Sequence, residues 1–124
     1  MTPRALTAGA VRSYCLGLNG TSEDTPFPRN AELTVFRVGG KIFAFCALEE
    51  TPLKISLKCD PEEALRLREA YGAIVPGWHL NKRHWNTVTV AELPARMVRE
   101  LIEDSYDLVV SGLPKAERLR LDRP

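Results

Sequence analysis

The chain has 124 residues, 44% of them apolar, and sets 17 Lys and Arg against 16 Asp and Glu for a formal charge of +1. That length fits one domain, residues 1–124, with a core large enough to stand without metal or disulfide staples. The near-neutral balance excludes a protein that coats nucleic acid by bulk electrostatics but allows a local basic patch, and no apolar run approaches the roughly 18 residues of a membrane span.

In chain order, Thr7 is placed to cap a short first helix, with Leu6, Ala10, Tyr14 and Leu18 at helical spacing and Gly17 as its stop. The apolar run at the N-terminus is too short for a signal sequence and is interrupted by Arg12. GTSEDTPFP, Gly20 to Pro28, is polar and turn-forming and reads as a loop. ELTVFRV and KIFAFCAL then flank Gly39-Gly40, which predicts a β-hairpin, because glycine alone takes positive φ cheaply at both turn positions. Alternation along the second arm places Phe43 and Phe45 on one face, opposite Ile42, Ala44 and Cys46. LKISLK is a third strand, with Leu53, Ile55 and Leu57 facing one way and Lys54, Ser56 and Lys58 the other.

CDPEEALRLREAYG carries its own helix punctuation. Asp60 is the cap, Pro61 opens the first turn, Glu63 is placed for a capping box and Gly72 stops the helix. Its inner stripe is Ala64, Leu67 and Tyr71. IVPGWHLNK is a short extended piece that enters a loop. WNTVTV is another strand, with Asn86, Val88 and Val90 on one face and Trp85, Thr87 and Thr89 on the other. The longest helix runs from Pro94 to Gly112. Its predicted buried stripe is Met97, Val98, Leu101, Ile102, Ser105, Leu108 and Val109, and Arg96–Glu100 and Arg99–Glu103 are solvent-side pairs. Residues 115–124 form a charged tail expected to fray in part. The order α-β-β-β-α-β-β-α predicts an α+β, two-layer sandwich: a mostly antiparallel sheet with helices packed on one face. Cys15, Cys46 and Cys59 cannot all pair and form no CxxC, so buried reduced thiols and a cytoplasmic setting are expected.

Three stretches carry a family likeness. PGWHLNKRHWNTVTV, the LP that opens the last helix, and LIEDSYDLVVSGLPKAER resemble the MmcQ/YjbR family of small bacterial proteins. Upstream, TPFP, VFRVGGKIFAF and KISLKCDPEEALRLREAY also suit that family, so the resemblance spans nearly the whole chain. It implies a CyaY-like (frataxin-like) sandwich, a bacterial cytoplasmic setting and DNA binding, the last by likeness to a double-wing architecture. No catalytic residues carry over from the family. The motif itself maps to Asn81, Lys82, His84, Trp85, Ser105 and Tyr106. Frataxins place an acidic ridge on their first helix. Here Thr7 to Leu16 holds no Asp or Glu and carries Arg12, which disfavours iron delivery.

Residue chemistry adds no catalytic or metal centre. His79 and His84, five apart, fall on opposite faces of a strand and have no cysteine nearby. GxSxG, HExxH and P-loop motifs are absent from the sequence. Cys59 precedes a helix N-terminus, but Asp60 and Glu62 oppose a thiolate there. A non-enzymatic module without cofactor is therefore expected. The stretch 78–90, with Trp78, His79, His84 and Trp85, has two readings. In one, its rings plug the edge of a small core. In the other, Trp85 and the two phenylalanines line an open sheet face, and cations at its rim bind DNA. The candidate contacts are Lys54, Lys58, Lys82 and Arg83 for phosphates, with Asn81 and Trp85 for bases. The same face suits a homodimer or other protein interface, and residues 78–86 suit a small-molecule pocket rim. No membrane partner is expected.

Overall fold

Six strands form one sheet in the computed structural model, which describes residues 6–29, 32–77 and 80–121. They are β1 (Thr21–Asp24), β2 (Leu33–Val38), β3 (Lys41–Ala47), β4 (Lys54–Lys58), β5 (Ile74–Pro76) and β6 (Trp85–Thr89). Their order in the sheet is β1-β2-β3-β4-β6-β5, and every neighbouring pair is antiparallel. The helices are α1 (Ala8–Leu16), α2 (Pro61–Ala70), α3 (Ala95–Ser111) and α4 (Lys115–Arg120). Val11 and Cys15 of α1, Leu67 of α2, and Val98, Ile102 and Tyr106 of α3 share one core with Phe36, Phe43, Ile55, Leu57 and Val88 of the sheet. This is the expected α+β sandwich, with helices on one face of the sheet.

Local chemistry accounts for most of the boundaries. Thr7 Oγ1 accepts the Ala10 amide at 3.1 Å and starts α1. Gly39 and Gly40 take φ of 58° and 78°, as a tight hairpin between twisted strands requires. Asp60 caps α2 through the Glu63 amide, and Pro61 occupies its first turn.

Several expectations are corrected. The polar Gly20–Pro28 segment is not all loop: TSED forms β1, held by backbone pairing to β2 and by Arg12–Glu23 and Arg37–Asp24 ion pairs. Phe43 and Phe45 do not share a face. The register shifts between Phe36 and Arg37, whose partners are Ala44 and Ile42, so Phe43 is an extra residue. That bulge resets the alternation and turns Phe43 into the helix-side core. Glu63 pairs with Arg66 rather than closing a capping box, and α2 ends at Ala70, where the chain turns extended and leaves Tyr71 exposed. The buried side of α3 is rotated from the predicted stripe: Tyr106 and Val110 lie inside and Leu108 is 36% exposed. No Arg99–Glu103 bridge forms among the described residues. In the tail, where fraying was expected, Lys115–Arg120 is helical, with Leu121 against the core.

Candidate nucleic-acid interface

Antiparallel partners point to the same side of a sheet. Phe45 stands opposite Ser56, Ser56 opposite Thr87, Lys54 opposite Thr89 and Lys58 opposite Trp85. Ile55, Leu57, Asn86 and Val88 take the alternate positions and face the helices. The face away from the helices (the strand face) therefore carries Lys54, Lys58 and Trp85 together. Phe45 meets Trp85 edge-on, with ring centroids 5.3 Å apart and planes at 70°. Beside them the Ser56 and Thr87 hydroxyls are hydrogen-bonded at 2.8 Å.

The middle of this face is not open. Val35, opposite Phe45, is 0% exposed, and Thr87 is 8% exposed. Phe45 and Trp85 are both half-buried and lean edge to face, so they do not offer a flat stacking platform. What the face and the turn beside it do offer is charge. Lys54, Lys82 and Arg83 are exposed and Lys58 is half-buried, and none of the four forms an ion pair among the described residues.

Lys82 and Arg83 sit on a turn built by Asn81. Its side-chain oxygen accepts the Arg83 amide at 2.9 Å, and its backbone oxygen accepts the amides of His84 and Trp85 at 3.2 and 3.0 Å. Asn81 is thus a turn former first, with its side-chain oxygen already engaged. Arg68 fastens the turn to α2: its guanidinium donates to Asn86 Oδ1 at 2.6 Å, to the Trp85 carbonyl at 3.3 Å and to the Lys82 carbonyl. His84 is half-buried and ties the turn to β4, its carbonyl accepting the Cys59 amide at 2.7 Å. Gly77 closes the other side. Its amide donates to the Trp85 carbonyl at 2.8 Å, and a β-carbon there would lie 2.8 Å from Trp85 Cβ. Trp78 and His79 lie outside the described residues.

Two motif residues prove to be fasteners of the core. Ser105 Oγ donates to the Phe43 carbonyl at 2.6 Å and accepts the Lys58 amide at 2.8 Å, joining α3 to β3 and β4. Tyr106 is 0% exposed, packs edge-on to Phe43 at 5.6 Å and donates its hydroxyl to the Asn19 carbonyl at 2.6 Å. Both lie across the sheet from the Lys54 and Lys58 side chains.

The thiols are poor nucleophiles. Burial, then the carboxylates of Glu63, Asp60 and Asp104, push Cys59 up to about 11. Burial likewise pushes Cys15 and Cys46 up to about 12. Among the described residues no three His, Cys, Asp or Glu side chains converge as a metal site, and no helix is long and apolar enough to cross a membrane.

Two features escaped the sequence pattern. Arg68 reads as a solvated helix residue; only its place in the last turn of α2, level with the loop before β6, hints at its task. The acids Glu100, Asp104 and Asp107 recur every three or four residues along α3, beside Leu101 and Leu108. That spacing marks a second face of α3, which the single predicted stripe merged with the core.

The family model YjbR matches residues 16–108. The chain is 41% identical over 97 residues to the uncharacterized protein YbdF of Escherichia coli, covering 77% of this chain and 79% of that protein. It is 31% identical over 114 residues to the uncharacterized protein YjbR of Escherichia coli, covering 91% and 95%. The crystal structure of Deinococcus radiodurans protein DR2400, with domain DUF419, superposes with a TM-score of 0.88 at 42% identity, over 99% of this chain and 92% of that one. A crystal structure of a Pseudomonas syringae protein superposes with a TM-score of 0.73 at 29% identity, over 83% and 98%.

Proposed function

The chain belongs to the YjbR family, and on that premise we propose that it is a non-enzymatic cytoplasmic module that binds DNA through its strand face. One observation carries this: four cations without acid partners among the described residues, Lys54, Lys58, Lys82 and Arg83, lie along β4 and the turn before β6 in a chain of formal charge +1. Phosphates are the natural counter-charge, because each one neutralised releases condensed counterions. Trp85 adds a half-buried indole edge beside Lys58, suited to a sugar or base rim rather than to intercalation. The three free cysteines, held as neutral thiols, fit a reducing compartment. A homodimer through the same face has less support, since Val75 is the one large exposed apolar side chain its strands contribute among the described residues.

Fluorescence anisotropy with a labelled mixed-sequence duplex tests the proposal. The wild-type chain should bind at low ionic strength and lose affinity steeply as salt rises, with a log–log slope of about −3 to −4 if all four cations meet phosphates. Replacing Lys82 and Arg83 by Glu should abolish the shift. Absence of binding at low ionic strength, or affinity indifferent to salt, would end the proposal.

A further inference from the structure

Across the sheet, α2 and α3 leave a cavity of about 370 Å³ between them. Its floor is Leu57, Ile74 and Val88 from the sheet, with Leu67 of α2 and Leu101 and Leu108 of α3 as walls. Its rim is Asp60 and Glu63 at the start of α2, and Asp104 and Asp107 on α3. A second hollow of about 360 Å³ shares Glu63, Leu67, Leu101 and Asp104 and continues past Tyr71 and Met97. The volume lies within the usual range for small-molecule sites, about 300–1,000 Å³, and an apolar lining with a few polar groups is their usual chemistry.

Four of the side chains around it are carboxylates. Asp104 forms no ion pair among the described residues. Partial burial, then Asp107, Glu100, Glu103 and Glu63, raise its pKa, so its carboxylate is crowded by like charge. Of the nearby arginines, Arg66 pairs with Glu63 on the rim itself, Arg96 pairs with Glu100, and Arg68 is held by the turn before β6. Lys58 also borders the cavity, but strand alternation turns its side chain to the opposite face with Trp85. An anion would be repelled here, and a neutral apolar molecule would leave the Asp104 carboxylate unrelieved. A positively charged head on an apolar body satisfies both the floor and the rim.

We propose that the α2–α3 groove binds an organic cation, a primary ammonium or guanidinium group carried on an apolar body, with Leu57, Leu67, Leu101 and Val88 holding the body and Asp104 the charged head. The ligand lies on the opposite side of the sheet from Lys54, Lys58 and Trp85, so this proposal stands or falls independently of the first. Calorimetric titration of the full chain with octylammonium, octylguanidinium, octanol and octanoate tests it. Both cations should bind, octanol about tenfold more weakly, and octanoate not at all. Asp104→Asn, an exposed and near-isosteric change, should weaken octylammonium about threefold and leave octanol unchanged. Leu101→Trp should fill the groove and remove binding of every probe; if that variant fails to fold, the Asp104→Asn contrast still decides. Equal affinity for octylammonium and octanol, or octylammonium binding indifferent to Asp104→Asn, would overturn the proposal. Failure of both cations to bind while a Lys- and Leu-rich amphipathic peptide does would also overturn it, in favour of a protein partner.

Discussion

Strand β6 belongs to two different environments within five residues. Asn86 and Val88 face the helices and are almost wholly buried, while Trp85 and Thr89, on the other side, are only half so. The charges divide along the same line. Lys54 and Lys58 lie on the strand side, with Lys82 and Arg83 on the adjoining turn, and Asp60, Glu63, Asp104 and Asp107 ring the groove between α2 and α3. A formal charge of +1 conceals this division, because opposite patches cancel in the sum. The lesson is that alternation in strands and periodicity in helices segregate charge that composition averages away.

The largest expected contrast comes from removing one ring on each face. Phe43→Ala empties a fully buried site against Phe36 and Tyr106 and should cost about 3–5 kcal/mol. Phe45→Ala, on the strand face, should cost about half as much, since its ring is already part-exposed. Urea denaturation of the two variants checks this, and equal losses would mean that the strand face is as sealed as the helix face.

Next comes Ser105→Ala. It leaves the Phe43 carbonyl and the Lys58 amide without their side-chain partner, at about 2 kcal/mol. The strand-face counterpart, Ser56→Ala, loses one hydrogen bond to Thr87 and should cost about 1 kcal/mol or less.

A third test uses pH on the helix side alone. Cys15 and Cys46 rise from their ordinary value of 9.0 to about 12 through burial. Below about pH 9 the thiols are protonated in both states; between about 9 and 12 only the unfolded chain ionises, so the folded chain binds more protons and stability falls as pH rises. One pH unit above the unfolded value the loss is on the order of 1 kcal/mol per thiol. Unfolding midpoints at about pH 8 and about pH 10 should differ accordingly, and less so in a Cys46→Ala variant. The smallest stability effect is expected for the Lys82→Glu, Arg83→Glu double variant, within about 0.5 kcal/mol, because neither side chain forms an ion pair among the described residues. Loss of DNA binding without loss of stability would separate a contact from a fold requirement.

Much of this was legible in the sequence, for reasons that also mark its limit. Gly39-Gly40, Asp60-Pro61 and the alternation of WNTVTV fix local geometry through short-range sterics and periodicity, and these elements form as expected. β1 was not legible, since the polar TSED joins the sheet through its backbone and through ion pairs with distant arginines. Nor was the bulge at Phe43, which depends on how β2 and β3 register. The motif residues Ser105 and Tyr106 could be located but not assigned, because one sequence cannot tell a side chain that fastens the core from one that touches a ligand. On α3, Leu101 and Leu108 read as core because apolar character was the only signal. Their place beside Asp104 and Asp107, over a gap left by α2, depends on packing between distant segments.

The division of charge between the two faces can be tested in one sample by amide NMR, titrating the full chain first with a mixed-sequence DNA duplex and then with octylammonium. DNA should shift residues of β4, the turn before β6 and β6 itself, while octylammonium should shift α2 and the middle of α3, in separate sets. DNA-induced shifts centred on the α2–α3 groove, or one overlapping set for both ligands, would contradict the account.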